Sequence, residues 1–372
     1  MADPRHRALA ETLVGYSCAL EAGETVLIEA VGIPHAFTRE LVRVAAAAGA
    51  RPLVWLKEPS VTRELLLAAS REQMDLMALG EATTMERVDA YIGIRGGENI
   101  SELSDVPAEA TRLWESTVFQ RVHLDERLKK KWVVLRWPSA SMAQLAGRST
   151  AAFEDFYFDV CTLDYARMAR AMEPLVELMN ATDRVRLTAP GTDLSFSIRD
   201  IPAVPCDGRR NIPDGEVYTA PVRDSIEGTI RFNTPTVYQG VAHQDVELTF
   251  EAGRIVEAGS SKPDHLLSVL DSDEGARFVG EFAIGFHPGI TEPMRDILFD
   301  EKIAGSIHLT PGNAYQEAWN GNRSQIHWDL VLMMDPAHGG GTIHFDDRLV
   351  RRDGRFVLPE LEALNPENLL GE

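Results

Sequence analysis

The feature of this sequence that most constrains its fold is a change of hydrophobic pattern near residue 183. Before it, short apolar runs alternate with stretches whose apolar residues recur at helical spacing; after it, short strand-like segments are joined by tight turns. The first pattern is typical of a parallel sheet covered by helices, and the second of antiparallel hairpins. We therefore predict two lobes: an α/β lobe with a doubly wound parallel sheet over residues 1–182, and a mixed, largely antiparallel α+β lobe over residues 183–372.

The individual elements follow from the same patterns. In the first half the sequence predicts helices and strands in alternation, with helices over 5–21, 35–48, 60–80 and 151–181 and strands over 25–30, 51–56, 89–94 and 132–138. In the second half it predicts hairpins whose turns lie at Pro190-Gly191, Ala252-Gly253 and Asp353-Gly354. A chain of 372 residues is long enough for each lobe to bury a core of its own.

The charge balance and the cysteines restrict the partners and the compartment. The chain has 37 basic and 57 acidic side chains, a net charge of −20, which disfavours binding to nucleic acid and to anionic membrane surfaces. Its three cysteines, Cys18, Cys161 and Cys206, are too far apart in sequence for a CxxC metal clip or a disulfide framework. Because there is also no apolar run of about 18 residues, the sequence predicts a cytoplasmic protein that does not span a membrane.

Common catalytic motifs are absent, since the sequence contains no GxxxxGK[ST], GxGxxG, GxSxG or HExxH. Ligand-type side chains occur instead in four strand-like segments of the second half: PDGEVYTAP with Glu216, VGEFAIGF with Glu281, SIHLTPGNAY with His308 and Tyr315, and SQIHWDLVLMM with His327 and Asp329. Because alternate residues of a strand share a face, His327 and Asp329 point the same way, while Ile326 and Trp328 point into a core. Each segment thus buries one face and offers a ligand on the other, as a metal site on a rigid sheet requires.

The set of two glutamates, one aspartate and two histidines indicates the kind of site. These ligands are more than one catalytic zinc ion takes, since that ion normally has about three protein ligands. Five protein ligands are the number expected when two divalent ions about 3.5–4 Å apart share them. Because mixed carboxylate and imidazole sites accept zinc, cobalt, manganese or magnesium, the sequence predicts two divalent metal ions per chain without fixing the element.

Taken together and in order, these segments resemble the aminopeptidase T / aminopeptidase S family of metallopeptidases. The specific part of the resemblance lies between residues 213 and 331 and includes LFDEKIAGSIHLTPGNAY and NGNRSQIHWDLVL; the opening LVGYSCALEAGETVLIEA is also similar to that family. The resemblance implies a two-lobed homodimer with a pair of divalent ions in the second lobe. It further implies that Tyr315 lies at the metal centre, and that the metal ligands are Glu216, Glu281, His308, His327 and Asp329. The division of these ligands between the two ions stays open.

The sequence departs from the family pattern at two places. The family commonly has LFDEN-type text before its histidine, where this chain has LFDEKIAGS with Lys302, and TPGNAY replaces a stretch of small residues and glycine. Neither change removes a ligand. Both are expected to alter the polarity of the pocket and hence the preferred substrate residue.

The favoured hypothesis is a metal-dependent aminopeptidase, which removes N-terminal residues from peptide substrates with a water activated by two metal ions. In it, Glu281 transfers the proton and Tyr315 helps to stabilise the oxyanion. One alternative is a mononuclear Fe(II) ring-cleaving dioxygenase on the same scaffold, similar to 2,5-dihydroxypyridine 5,6-dioxygenase, for which His308, His327 and Asp329 would suffice. Another is a binding or storage protein whose carboxylates are only solvated. The number of metal ions per chain separates these hypotheses.

Overall fold

A computed structural model describes residues 3–371, and their contacts divide the chain into two compact units. The first unit comprises the described residues up to Thr162 together with Gly208–Pro213, and the second comprises Leu163–Asp207 and the chain from Asp214 onward. Residues 163–182 therefore group with the second unit, whereas the domain boundary at 182/183 stays a prediction. The predicted fold class, a parallel α/β part followed by a largely antiparallel part, is confirmed.

The first unit is built on a five-stranded sheet in which every pairing is parallel. The chain starts inside the sheet and extends it first to one side and then to the other, which is the doubly wound arrangement. The inner strands are apolar because both of their faces are buried, as in the VLIEA core of the first strand. In spatial order the strands are Arg51–Lys57, Thr25–Val31, Ala90–Arg95, Lys131–Arg136 and Asn211–Ile212.

Two predicted long helices are each broken in two, and this corrects the sequence prediction. The stretch predicted over 60–80 forms separate helices because the Ser70 hydroxyl accepts a hydrogen bond from the Gln73 amide and begins a new helix. The stretch predicted over 151–181 is broken in the same way by Asp164, whose carboxylate accepts from the Arg167 amide. The α-helices of the first unit are Pro4–Glu11, His35–Ala47, Pro59–Leu67, Arg71–Arg87, Ala108–Trp114, Ala140–Leu145 and Thr150–Cys161, with π-helical segments at Thr12–Ser17 and Glu115–Leu124.

The second unit contains two antiparallel sheets and a small hairpin. The larger sheet includes the three predicted hairpins, and its strands in spatial order are Arg254–Gly259, Glu247–Glu251, Glu227–Arg231, Thr192–Ser197, Arg184–Ala189, Thr342–Phe345, Arg348–Arg352 and Arg355–Phe356. The hairpin pairs Thr236–Tyr238 with Val241–His243. The helices of this unit are Tyr165–Ala181, Pro263–Leu270, Ile297–Asp300 and Pro366–Leu370.

The second antiparallel sheet, called the site sheet below, carries the predicted ligands. Its strands in spatial order are Leu330–Met333, Ser306–Pro311, Val279–Gly285, Glu216–Thr219 and Val204–Cys206. Its three central strands are buried along their whole length, so that a polar side chain there is removed from water and must find a partner. None of the helices in the described part of the chain combines the length and the apolar character that crossing a membrane requires.

Candidate metal centre

The register of the site sheet brings three predicted ligands together. His308 pairs with Ala283, and Glu216 pairs with Gly285, so both ligands lie beside small residues of the central strand. At Gly285 a Cβ atom would lie 2.8 Å from the Glu301 carbonyl oxygen, which is why only glycine fits. Glu281 precedes these small residues on the same strand and on the same face.

His327 and Asp329 reach the same place by a different backbone path from the one predicted. The sequence predicted a strand through both residues, but the strand begins only at Leu330. Backbone hydrogen bonds across the sequence gap position the segment instead: Asn313 donates to the Ile326 carbonyl and Trp328 donates to the Pro311 carbonyl. Ile326 and Trp328 are buried, as predicted.

Glu281 lies between the two imidazoles. One of its oxygens, Oε1, is 3.0 Å from Nε2 of His308, and the other, Oε2, is 3.6 Å from Nε2 of His327. The same His327 nitrogen is 3.2 Å from Oδ1 of Asp329, and Nδ1 of His308 is 3.5 Å from Oε2 of Glu216. The structure therefore brings all five side chains that the sequence singled out as ligands into one cluster, called the metal-site cluster below.

Two carboxylate oxygens of this cluster lack a hydrogen-bond partner although they are buried. They are Oε2 of Glu216 and Oε2 of Glu281, and among the described residues no other buried carboxylate oxygen is left in this condition. Both residues are only 4% exposed, so water does not supply the missing partner from an open surface. An unpaired buried carboxylate oxygen costs several kcal/mol, which a coordinated cation would offset.

Hydrogen bonds from neighbouring residues fix the orientation of His327 and Asp329. The Asn313 carbonyl oxygen is 3.0 Å from Nδ1 of His327, so Nδ1 donates its proton there and Nε2 is directed at the carboxylates. The Thr310 hydroxyl donates to Oδ1 of Asp329 at 2.6 Å. Partners of this kind fix the tautomer and the rotamer of a metal ligand before the metal binds.

The electrostatics of the cluster are dominated by surplus negative charge. Burial acts to lower the pKa of His308 and of His327, but the nearby carboxylates outweigh it and raise each pKa to about 10. Burial acts to raise the pKa of Asp329, yet the two imidazoles hold it far below its usual range. Burial raises the pKa of Glu216 in spite of the nearby ammonium of Lys302. The cluster therefore attracts protons strongly, and for the same reason it attracts metal cations.

Tyr315, which the resemblance placed at the metal centre, lies at the edge of the cluster. Its ring centroid is 4.7 Å from that of His327 and 5.9 Å from that of Tyr218. Although 46% of Tyr315 is exposed, desolvation of its phenol and the negative charges of Glu281 and Asp329 raise the pKa of the hydroxyl well above its usual value. The phenol is therefore a hydrogen-bond donor at neutral pH.

Sequence reasoning missed the part of the site next to Glu216. Lys302 is fully buried, and its ammonium forms ion pairs with Asp214, Glu216 and Glu301. The sequence showed Lys302 only as a departure from the family pattern. Its local sequence gave no signal of burial, because a lysine directly after Asp300-Glu301 is ordinarily an exposed surface residue.

The donor set fits divalent metal ions. Among the described residues, two groups have ligand atoms that all lie within 4.8 Å of one another: Glu281, His327 and Asp329 form the first group, and Cys206, Asp214 and Glu216 the second. The first group contains one of the unpartnered oxygens and mixes imidazole with carboxylate, as catalytic metal sites do. The second group already has the Lys302 ammonium beside it.

Comparisons with known proteins point in the same direction. The profile of a family described as "Thermophilic metalloprotease (M29)" matches residues 2–356. Aminopeptidase T of Thermus thermophilus is 34% identical over 219 residues, which cover 51% of this chain and 53% of the relative. The chain thus spans about half the length of the aminopeptidase T sequences that it matches.

Two solved structures are similar over nearly the whole chain. Wild-type AmpT from Thermus thermophilus has a TM-score of 0.78 at 23% identity and covers 95% of this chain and 99% of its own. A 2,5-dihydroxypyridine dioxygenase from Pseudomonas putida KT2440 has a TM-score of 0.63 at 14% identity and covers 96% and 98%. At these identities the likeness concerns the fold alone.

Proposed function

This chain belongs to the M29 family of thermophilic metalloproteases, and on that premise we propose that it is a metallo-aminopeptidase that removes N-terminal residues from peptides. The observation that carries the proposal is the position of Glu281 between the imidazoles of His308 and His327, with a buried oxygen that has no hydrogen-bond partner. A carboxylate between two imidazoles, each with a nitrogen facing it, is the arrangement expected of ligands shared by two cations.

The charge of the site supports two divalent ions rather than one. With both imidazoles neutral, as metal ligands are, the only cation of the site is the ammonium of Lys302. The described part of the site contains five carboxylates: Asp214, Glu216 and Glu301 pair with this ammonium, and Glu281 and Asp329 lie beside His327. The surplus of four negative charges equals the charge of two divalent cations. A single divalent ion would leave a negative site in a low-dielectric interior.

The residues that would hold the ions are Glu216, Glu281, His308, His327 and Asp329, with Tyr315 as a ligand or a hydrogen-bond donor. Bound there, divalent ions would lower the pKa of a water molecule and polarise the carbonyl group of a substrate. Zinc, cobalt, manganese and magnesium all accept such mixed donors, so the proposal does not depend on one element.

The protein's own groups would provide the proton transfer and the oxyanion contact. We assign the proton transfer to the carboxylate of Glu281, because it lies between the imidazoles of His308 and His327 at the centre of the site. Tyr315 would donate its phenol proton to the oxyanion, because its raised pKa keeps the hydroxyl protonated. The Thr310 hydroxyl and the Asn313 carbonyl would hold Asp329 and His327 in place during the reaction.

The test is a substitution series assayed with aminoacyl nitroanilides, with and without a chelator. We expect Glu216→Ala and His327→Ala to abolish hydrolysis while circular dichroism stays that of the parent chain, and elemental analysis to find two divalent ions per parent chain. Hydrolysis that survives either substitution would refute the assignment. A single iron per chain would favour the dioxygenase, but one iron does not require both buried glutamates, and no observation on this chain favours that alternative.

Homodimer assembly, which the family resemblance implies, and a cytoplasmic location, which the sequence predicts, belong to the same proposal. Analytical ultracentrifugation of the metal-loaded protein tests the first, since a dimer has twice the mass of the 41.1 kDa chain. Fractionation of the source cells tests the second.

A further inference from the structure

The ammonium of Lys302 lies among the carboxylates next to Glu216, at one end of the metal centre. Lys302 is completely buried, and its Nζ donates to Oε1 of Glu216 at 3.2 Å and lies 3.7 Å from Oδ1 of Asp214. It also pairs with Glu301. A buried ammonium is tolerated only when anionic partners surround it, so this pocket is built for a cation.

The same pocket has the spacing of a metal site. Ligand atoms of Cys206, Asp214 and Glu216 all lie within 4.8 Å of one another, and the cysteine is free. A thiolate with two carboxylates would form a mixed sulfur and oxygen site, for which Zn²⁺ and Co²⁺ have high affinity. What distinguishes it from the neighbouring group of Glu281, His327 and Asp329 is that a cation of the chain itself is already there.

We propose that Lys302 is a positioning residue that acts as a fixed internal cation. It keeps divalent ions out of the pocket formed by Cys206, Asp214 and Glu216. By engaging Oε1 of Glu216, it leaves Oε2, the oxygen that faces His308, for the resident ion. This inference rests on the proposed function, because it assumes that the resident ions lie on the His308 side of Glu216.

The physical reason is repulsion at short distance. An ammonium and a divalent ion that shared the Asp214 and Glu216 carboxylates would lie only a few ångströms apart, where like charges in a protein interior repel strongly. The ammonium is covalently attached and fully buried, so a metal ion cannot displace it. Cys206 is therefore kept from acting as a metal ligand, although its sulfur has the right distance to two carboxylates.

The experiment removes the charge and keeps an unbranched side chain that is only one atom shorter. Lys302→Met is purified metal-free and titrated with Co²⁺, and the near-ultraviolet spectrum reports cobalt bound to sulfur. We expect the variant to bind about one more Co²⁺ ion per chain than the parent and to show a sulfur-to-cobalt band that the parent lacks. The band should vanish in Lys302→Met/Cys206→Ser. An unchanged number of bound ions and an absent band in the folded variant would overturn the proposal.

Two further variants keep the test decisive. Lys57→Met is the matched control, because the Lys57 ammonium also pairs with two carboxylates, those of Glu29 and Glu81. Among the described residues, neither carboxylate belongs to a group of possible metal ligands that includes a cysteine. It should gain no cobalt ion. Cys206→Ser in the parent background covers the case in which Lys302→Met does not fold: it should leave the number of Co²⁺ ions and the spectrum unchanged. Loss of an ion or of a sulfur band in Cys206→Ser would show that Lys302 does not exclude the metal.

Failure of this inference and failure of the proposed function give different results. A parent chain that binds no Co²⁺ would refute the metallo-aminopeptidase. The added ion in Lys302→Met would still appear in that case, because its ligands are Cys206, Asp214 and Glu216 rather than the histidines. Conversely, a parent chain with two ions and an unchanged Lys302→Met variant would refute only the role of Lys302.

Discussion

Each unit of this protein contains a buried cluster of charged side chains, and the two clusters treat their carboxylates differently. In the first unit, Glu29 is 3% exposed and both of its oxygens have partners: the Lys57 ammonium lies 2.8 Å from Oε1, and the Tyr91 hydroxyl donates to Oε2. Lys57 also pairs with Glu81. These four residues are called the first-unit cluster below. Burial acts to raise the pKa of Glu29, but Lys57 and the hydrogen bonds lower it below its usual value.

In the metal-site cluster of the second unit, the carboxylates outnumber the cations and two oxygens have no hydrogen-bond partner. Burying an ionised group is favourable only when a partner compensates for its lost hydration. The first-unit cluster finds that partner within the chain. Burial of acidic groups therefore does not by itself indicate a metal site, whereas surplus negative charge and unpartnered carboxylate oxygens do.

Removing the charge of Glu281 in the metal-site cluster should have the greatest effect of the substitutions considered, a loss of catalytic activity. Glu281→Gln keeps the shape of the side chain but removes the charge between the two imidazoles. We expect kcat/KM for an aminoacyl nitroanilide to fall by about a thousandfold or more, because the ions lose a ligand and the reaction loses its proton acceptor. Elemental analysis should show fewer than two ions per chain. Activity and metal content like those of the parent chain would remove the distinction between the clusters.

The reciprocal substitution tests the first-unit cluster by stability. Glu29→Gln leaves one of the two ion pairs of Lys57 unmade in a buried position. We expect the free energy of unfolding to fall by about 1–3 kcal/mol, because Lys57 loses one of its two anionic partners but keeps the pair with Glu81. Denaturant titration measures this loss, and elemental analysis should find the metal content unchanged. A loss of metal ions from Glu29→Gln would contradict the assignment of a purely structural role.

The sequence predicts the strands of the fold better than it predicts the arrangement of the ligands in the site. The strands of the site sheet were predictable because GEFAIG and SIHLTP alternate clearly between faces. The convergence of the ligands was not, since it depends on the pairing of Gly285 with Glu216 and of Ala283 with His308, which spacing alone does not specify.

Two other features show where sequence reasoning failed and why. The breaks in the long helices were signalled by Ser70 and Asp164, whose capping hydrogen bonds compete with a continuous helical pattern. The burial of Lys302 had no local signal, because only the tertiary placement of Asp214 and Glu216 makes a buried ammonium favourable there.

The pH dependence of stability tests a buried histidine that lies beside the first-unit cluster. His123 is 3% exposed beside Tyr91, and burial lowers the pKa of its imidazole to about 4 from the usual 6.5. Below pH 6.5 the unfolded chain takes up a proton that the folded chain refuses, so stability is full above that pH and declines as the pH falls to 4. We expect His123 to account for a loss of about 3 kcal/mol over this window. His123→Leu should lack that part of the decline in denaturant titrations, and an unchanged decline would contradict the prediction.

The smallest effect compares two tyrosine hydroxyls, one for each cluster. Tyr315→Phe should lower kcat by about tenfold to a hundredfold, because the oxyanion loses a donor at a partly exposed position, while the metal content stays the same. Tyr91→Phe removes the hydroxyl that donates to Glu29 and should cost about 1–3 kcal/mol of stability with kcat unchanged. Steady-state kinetics and denaturant titration measure kcat and the free energy of unfolding for both variants. Tyr315→Phe should change mainly kcat, and Tyr91→Phe mainly the free energy of unfolding. If Tyr315→Phe changed stability and left kcat alone, its hydroxyl would belong with that of Tyr91 as a structural group, and the oxyanion contact would have to come from the metal ions alone.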